Sequence, residues 1–294
     1  MRIRVQFALA VLALAPLIPM AAQQQMTTKD LLGLPQPAPD TVIHYGPDSL
    51  QFGELYRAKG ARPGPVMVFI HGGCWLSAFD RKHARSLAAA VAARGITVWN
   101  LEYRRVGNPG GGWPGTFEDI AAGVDFVRDL AGPFHLDTTR VVVAGHSAGG
   151  HFALWVASRG KLPSGPGSRA PLKPRAILAL AGVPDLSEVA SAKEPVCGDA
   201  ISRLMGGSPQ ERPEPYRLAS PNQWLPFGIR QVILTGAEDH IVPPDLSRVF
   251  AARATKAGDH VELIVVPGAG HFEVVSPGTP AGIRVIETVA RLVR

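Results

Sequence analysis

The stretch GHSAGG, Gly145 to Gly150, decides how this chain is interpreted. It follows the apolar residues VVVA and precedes HFALW, so a predicted strand passes into a predicted helix at Ser147. Glycine is unfavourable inside regular elements, and glycines close on both sides of a serine predict a tightly bent backbone that presents the hydroxyl as a nucleophile. The chain contains 32 glycines, so this spacing alone is weak and the surrounding elements must decide.

Apolar runs of strand length alternate with helical patterns on both sides of that stretch. The runs VMVFI, VVVA, AILALA and VILT are continuously apolar, as in strands buried on both faces. Helical spacing occurs at 80–94 and at 116–130, and the second begins with TFED, which resembles a capping box. The alternation predicts an α/β fold, with a mostly parallel central sheet and helices on both faces, over 41–294.

Chemically useful residues follow four of the predicted strands. HGG (71–73) follows VMVFI, GHSAG follows VVVA, Asp239 follows VILTG, and His271 follows VELIVV after a short loop. Ligand sites of such sheets lie at the carboxyl ends of the strands. The order glycine turn, serine, aspartate, histidine therefore predicts one site for nucleophilic catalysis.

The motifs HGGCW, EYRR, GWPGTFEDI, GHSAGGHFALW, GAEDHIVP and GAGHFE resemble those of α/β-hydrolase fold esterases and lipases. The chain is most similar to bacterial feruloyl-esterase-like and hormone-sensitive-lipase-like esterases, and the resemblance covers the core from about Thr41 onward. It departs from the lipase pattern at Cys74, where a third glycine would follow HGG. That departure leaves the first two glycines intact.

The resemblance implies a Ser-His-Asp triad of Ser147, His271 and Asp239. In such a triad the imidazole accepts the serine proton, and the carboxylate holds the ring in the required tautomer. An oxyanion hole would be formed by backbone N–H groups, those of Gly72, Gly73 and Ala148.

Asp185 is the alternative acid, because it also follows a predicted strand, but it is better placed to cap the segment LSEVA. Asp239 is favoured because its loop ends in IVPP, as the acid loop of the family does. His71 is interpreted as a structural support of the glycine turn. No HExxH or CxxC spacing occurs, so we expect neither a metal site nor a cofactor.

Residues 185–226 are rich in proline, and in this fold the corresponding connection often rises above the site. We therefore expect a small lid around 185–226 and a small or medium substrate. Trp75, Trp113 and Trp224 are candidate pocket walls, although each is more often simply part of a core.

The N-terminus has the features of a signal peptide. Arg2 and Arg4 precede an apolar run of secretory length, and small residues follow it at 21–22. We predict a signal peptide at 1–22, a proline-rich linker at 23–40, and export to the periplasm or the medium with no stable membrane span after processing. An uncleaved anchor is the alternative. The formal net charge is +6, but no basic run suggests nucleic-acid binding.

Cys74 and Cys197 are the two cysteines. Export would place them where disulfides persist, and the expected lid, which contains Cys197, should pass over the turn that precedes Cys74. A disulfide between them is one hypothesis, and two unrelated buried thiols are the other.

The predicted function is hydrolysis of carboxylic esters of short acyl or aryl acids, with a small-molecule ester as the partner. An arylformamidase of the kynurenine formamidase type is one alternative, which export argues against. A non-catalytic binding protein on the same fold is another, but such proteins usually lack a triad member. The sequence does not define the oligomeric state or the natural substrate.

Overall fold

The central element is an eight-stranded sheet. The structure is a computed structural model that describes residues 25–60, 63–167 and 170–294, so the predicted signal peptide lies outside the described residues. The strands are β1 Thr41–His44, β2 Phe52–Tyr56, β3 Gly64–Ile70, β4 Thr97–Leu101, β5 Leu136–His146, β6 Ala176–Leu180, β7 Arg230–Gly236 and β8 Val261–Val266.

The spatial order of the strands is β1-β2-β4-β3-β5-β6-β7-β8. The β1–β2 and β2–β4 pairs are antiparallel and all later pairs are parallel, with Val68 of β3 opposite Trp99 on one side and Val143 on the other. Val66 and Val68 join the hydrophobic core on one face, whereas Met67 and Phe69 join that on the other. Both faces of β3 are therefore buried, which confirms the predicted mostly parallel sheet covered on both sides.

Helices form the outer layers and the connections. In the described residues they are α1 Thr28–Leu32, α2 Arg85–Ala92, α3 Gly115–Asp125, α4 Val127–Phe134, α5 Ala148–Ser158, α6 Leu186–Ala190, α7 Ala200–Met205, α8 Pro213–Ala219, α9 Pro244–Lys256 and α10 Pro280–Leu292. Short 3-10 helices lie at Arg81–Ala84, Arg159–Lys161, Pro221–Trp224 and Glu273–Val275. Across the described ranges, no helix is long and apolar enough to cross a membrane.

The helix predicted at 116–130 divides into α3 and α4, and the predicted capping box is wrong. Thr116 lies inside α3, where its hydroxyl donates a hydrogen bond to the carbonyl of Arg104 and accepts one from the N–H of Gly112. The carboxylate of Asp119 is bound by the Arg104 guanidinium. Both side chains are therefore used in tertiary contacts rather than at the helix N-terminus.

Two segments with irregular sequence contain helices. The segment predicted as a lid, 185–226, contains α6, α7 and α8, and a disulfide between Cys197 and Cys74 ties it to the turn after β3. The segment predicted as a linker, 23–40, contains α1, whose first turn is closed by a capping box of Thr27 and Asp30. Both segments therefore contain ordered elements.

Candidate active site

Ser147 lies at the bend between β5 and α5. Its backbone angles are φ 55° and ψ −119°, a region that a non-glycine residue occupies at a cost of about 1–3 kcal/mol. A Cβ atom at Gly145 would lie 2.1 Å from the carbonyl oxygen of Gly149, and one at Gly149 would lie 1.9 Å from that of Ile70. Both glycines are therefore required by close backbone packing around the serine.

His271 and Asp239 form a buried hydrogen-bonded pair. The distance between His271 Nδ1 and Asp239 Oδ2 is 2.7 Å. The other carboxylate oxygen, Oδ1, accepts hydrogen bonds from the backbone N–H groups of Ile241 and Val242 at 2.9 and 2.8 Å. A carboxylate only accepts, so Nδ1 carries the proton and Nε2 is the basic nitrogen of the neutral ring.

Ser147 and His271 line the same cavity, which has a volume of about 390 Å³. This is within the range of about 300–1,000 Å³ that small-molecule sites occupy. Gly73 and Cys74 of the turn after β3 also line this cavity. The structure therefore brings the predicted nucleophile, the predicted base and part of the predicted oxyanion turn to one cavity.

The glycine turn packs directly against the serine. A Cβ at Gly72 would lie 3.0 Å from Ser147 Cβ, and Gly73 has a φ of +110° that favours glycine. The N–H of Gly72 donates to His83 Nε2 at 3.4 Å, so this predicted oxyanion donor already has a partner. Ala148 is the first residue of α5, where backbone N–H groups have no partner within the helix.

The side chain of His71 supports the glycine turn through hydrogen bonds. Its Nδ1 lies 2.7 Å from the carbonyl oxygen of Gly72, and its Nε2 lies 3.1 Å from Glu102 Oε1. The Tyr103 hydroxyl donates to the His71 carbonyl at 2.8 Å. Burial would raise the pKa of Glu102, but His71 and Arg105 outweigh it and lower that pKa to about 2. An ionised, fully engaged carboxylate thus fixes the ring, as the structural interpretation of His71 expects.

Two further histidines, His83 and His146, line the cavity and a third, His151, lies in α5, and burial is the main cause that lowers the pKa of each. The pKa of His83 falls to about 3 and that of His151 to about 4, and that of His146 lies well below its usual value. The ring of His146 contacts the His271 carbonyl oxygen through Nε2 at 3.0 Å. At neutral pH these rings are uncharged, so none of them adds a cation beside His271.

Asp185 lies away from this pair. It caps α6 by accepting from the N–H of Glu188 at 3.0 Å, and its other oxygen accepts from the Gln223 side chain at 3.0 Å. It lines a second cavity, of about 320 Å³, that Ser147 does not line. Asp239 is therefore the carboxylate that contacts His271.

The three tryptophans considered as pocket walls do not line the cavity of Ser147. Trp75 is buried and its indole N–H donates to His151, Trp113 packs against Phe117, and Trp224 donates to the carbonyl of Arg217. The apolar walls are formed instead by residues that the sequence did not indicate: Leu31, Leu32, Phe79, Ile241 and Phe272. These residues come together only because loops that are distant in the sequence meet in the folded protein. No local sequence pattern indicates such contacts.

Cys74 and Cys197 are joined by a disulfide with a Cα–Cα distance of 5.7 Å. The bond connects the residue after Gly73 to the segment 185–226, so it spans the glycine turn and the expected lid. Within the described part of the chain, no three His, Cys, Asp or Glu side chains are grouped so that they could hold a metal ion.

Known proteins that are similar to this chain include esterases. The model of the BD-FAE family matches residues 54–253. Esterase LipC of Mycobacterium tuberculosis is 26% identical over 245 residues, which cover 78% of this chain and 58% of that protein. Esterase LipU of the same organism is 25% identical, with 82% of each chain covered. The chain therefore spans little more than half the length of some of its curated relatives.

Solved structures of esterases share the fold. A truncated carbohydrate esterase from gut microbiota superposes with a TM-score of 0.74 at 21% identity, covering 87% of this chain and 97% of that one. An esterase from Thermogutta terrifontis gives a TM-score of 0.69 at 23% identity, covering 85% of this chain and 92% of that one. These likenesses confirm the predicted α/β-hydrolase fold.

Proposed function

The chain belongs to the BD-FAE family, and from this premise we propose that it is a serine hydrolase that cleaves carboxylic esters of short acyl or aryl acids. The observation that carries the proposal is the 2.7 Å contact of His271 Nδ1 with Asp239 Oδ2, on a cavity that His271 shares with Ser147. The named esterases among its relatives support the same reaction class.

The reaction proceeds through an acyl-enzyme. Ser147 Oγ attacks the ester carbonyl carbon while its proton passes to His271 Nε2. The tetrahedral oxyanion collapses, the C–O bond to the alcohol breaks, and the imidazolium gives its proton to the departing oxygen. Water then attacks the carbonyl carbon of the acyl-enzyme and gives a proton to His271 Nε2. When this second tetrahedral intermediate collapses, the bond to Ser147 Oγ breaks and the acid is released. The proton on Nε2 returns to Oγ, which restores Ser147. Asp239 stabilises the imidazolium both in acylation and in deacylation.

The oxyanion is held by backbone N–H groups. Gly73 lines the cavity and Ala148 lies at the start of α5, so these two are the main donors in our proposal. The Gly72 N–H can join them by releasing His83, whose ring is neutral and therefore a weak competitor for the N–H once a negative charge is present. Each such donor typically contributes about 3 kcal/mol to transition-state stabilisation.

We also propose export, with the mature enzyme in the periplasm or the medium. The disulfide of Cys74 and Cys197 supports this location, because such bonds persist in oxidising compartments. Fractionation of the native host, with antibody detection and N-terminal sequencing of the mature form, tests the proposal. Recovery of the full-length chain in the cytoplasmic fraction would contradict it.

Covalent labelling tests the nucleophile. A fluorophosphonate probe should label the wild type, and Ser147→Ala should abolish labelling and lower kcat about 10⁶-fold on nitrophenyl esters. Ser158→Ala is the matched control, because Ser158 is also buried on α5 but donates only to the Trp155 carbonyl. Retention of most activity in Ser147→Ala would refute the assignment. N-formylkynurenine in the substrate panel separates esterase from formamidase activity.

A further inference from the structure

The chain that leads into α1 contacts both loops that carry the proposed acid and base. The side-chain amide of Gln25 donates to the carbonyl of Glu238, the residue before the acid, at 2.8 Å. The N–H of Met26 donates to Glu273 Oε1 at 2.6 Å, and Glu273 Oε2 accepts from the N–H of Gly270, the residue before the base, at 3.0 Å. The segment is thus fixed to the site by polar contacts at both loops.

The two leucines of α1 both line the cavity of Ser147, but they differ in exposure. Leu31 is 2% exposed and belongs to the same hydrophobic cluster as Leu87 of α2, which anchors the helix on the body of the protein. Leu32 is 49% exposed, yet it lines the cavity of Ser147. The helix therefore presents an accessible apolar side chain to that cavity from a fixed position.

Leu32 is not an isolated exposed side chain. In the parts of the chain that the structure describes, six large hydrophobic side chains are exposed, and three of them, Leu32, Phe79 and Ile241, line this one cavity. Single exposed apolar side chains are ordinary, whereas a group around a concave site indicates an apolar ligand.

The other two members of the group are fixed by the catalytic loops. Phe79 packs on the glycine turn, since a Cβ at Gly73 would lie 2.3 Å from Phe79 Cβ. Ile241 is held by its backbone N–H, which donates to Asp239 Oδ1. The three apolar side chains thus come from three separate segments, and each segment is attached next to a group that the proposed reaction uses.

We propose that α1 is a wall of the substrate site and that Leu32, with Phe79 and Ile241, binds an apolar group of the ester. The inference rests on the proposed function and extends it, because it assigns the preferred substrates: esters with a chain or ring of several carbons rather than acetyl esters of polar alcohols. The apolar group can belong to the acid part or to the alcohol part of the ester, because either would make the same apolar contacts with these side chains.

Selectivity, rather than overall rate, is the quantity to measure. The values of kcat/KM are compared for nitrophenyl hexanoate and acetate, which vary the acid, and for hexyl and ethyl acetate, which vary the alcohol. Leu32→Ala should lower the long-to-short ratio about tenfold in one of the two series, the low end of what small changes in an apolar pocket produce. The series that responds identifies the part of the ester that lies against α1.

Ile283→Ala is the matched control, because Ile283 on α10 is 45% exposed and does not line the cavity. Its ratios should equal those of the wild type. Leu32→Asn, which keeps the number of side-chain heavy atoms and the branch at Cγ but is polar, should behave like Leu32→Ala, and unchanged melting temperatures would show that all variants are folded. Ratios for Leu32→Ala within twofold of the wild type in both series would overturn this inference alone. Absence of any ester hydrolysis by the wild type would overturn the proposed function, and this inference with it.

Discussion

Replacing Asp239 by asparagine should inactivate the enzyme without disturbing the fold, and the surrounding contacts explain why. Two backbone N–H groups, those of Ile241 and Val242, point at Oδ1. An asparagine must place its only oxygen there, because its NH₂ group cannot accept. The NH₂ group then faces His271 Nδ1, which must become an acceptor, and the ring proton moves to Nε2. In that tautomer the imidazole cannot take the proton of Ser147.

The expected loss in kcat is about 10⁴-fold, as when other triads are trapped in the wrong tautomer. The assay is the initial rate on nitrophenyl butyrate, with circular dichroism to verify folding. Asp185→Asn is the matched control: it is also buried and follows a strand, but it caps α6, and asparagine caps a helix as well as aspartate does. Its rate should stay within about tenfold of the wild type, a change of about 1.4 kcal/mol in activation free energy, because Asp185 contacts the side chain of Gln223 and not His271. A larger loss for Asp185→Asn than for Asp239→Asn would refute this reasoning.

Three further outcomes concern stability. The pKa values of the buried histidines His83 and His151 are lowered to about 3 and about 4, so the unfolded chain binds more protons at mild acid pH. Lowering the pH from about 7.5 to about 5 should then reduce the free energy of unfolding by about 2 kcal/mol for each ring, and urea titrations with no loss would contradict this. Reducing the disulfide of Cys74, which joins residues 123 positions apart, should lower that free energy by up to about 5 kcal/mol, measured with and without dithiothreitol. Gly149→Ala should cost about 3 kcal/mol or more, whereas Gly160→Ala, with open space around the new Cβ, should be neutral, and equal effects of the two would contradict the packing argument.

The fold was predictable because its signals are local. Each central strand is a continuous apolar run, and burial on both faces requires that pattern whatever the rest of the chain does. The triad residues could be proposed for the same reason, since Ser147, Asp239 and His271 each follow a strand in a short motif. The structure brings Asp239 and His271 into contact, and Ser147 lines the same cavity as His271.

Features that depend on tertiary contacts could not be predicted in this way. Thr116 has the sequence context of a helix cap, yet its hydroxyl bonds to the carbonyl of Arg104. His83 carries no motif, but from the 3-10 helix Arg81–Ala84 it accepts the hydrogen bond of Gly72, a contact between separate segments. Leu32 lies in a proline-rich stretch that is typical of linkers, and its place at the cavity depends on contacts with the far end of the chain.

The attachment of the segment before α1 also affects when the site is completed during folding. Gln25 and Met26 bind residues that lie 213 and 247 positions later in the chain. Contacts of such long sequence separation cannot form until both partners have been synthesised, and they form slowly because the chain between them must first close into a loop. A nascent chain that extends past Ser147 but not yet to His271 therefore holds the nucleophile motif without its base, and its segment before α1 lacks the partner Glu273. The substrate pocket combines α1, near the start of the described chain, with the loops of Ile241 and His271, so selectivity would arise only after the loop of His271 and Glu273 has been synthesised.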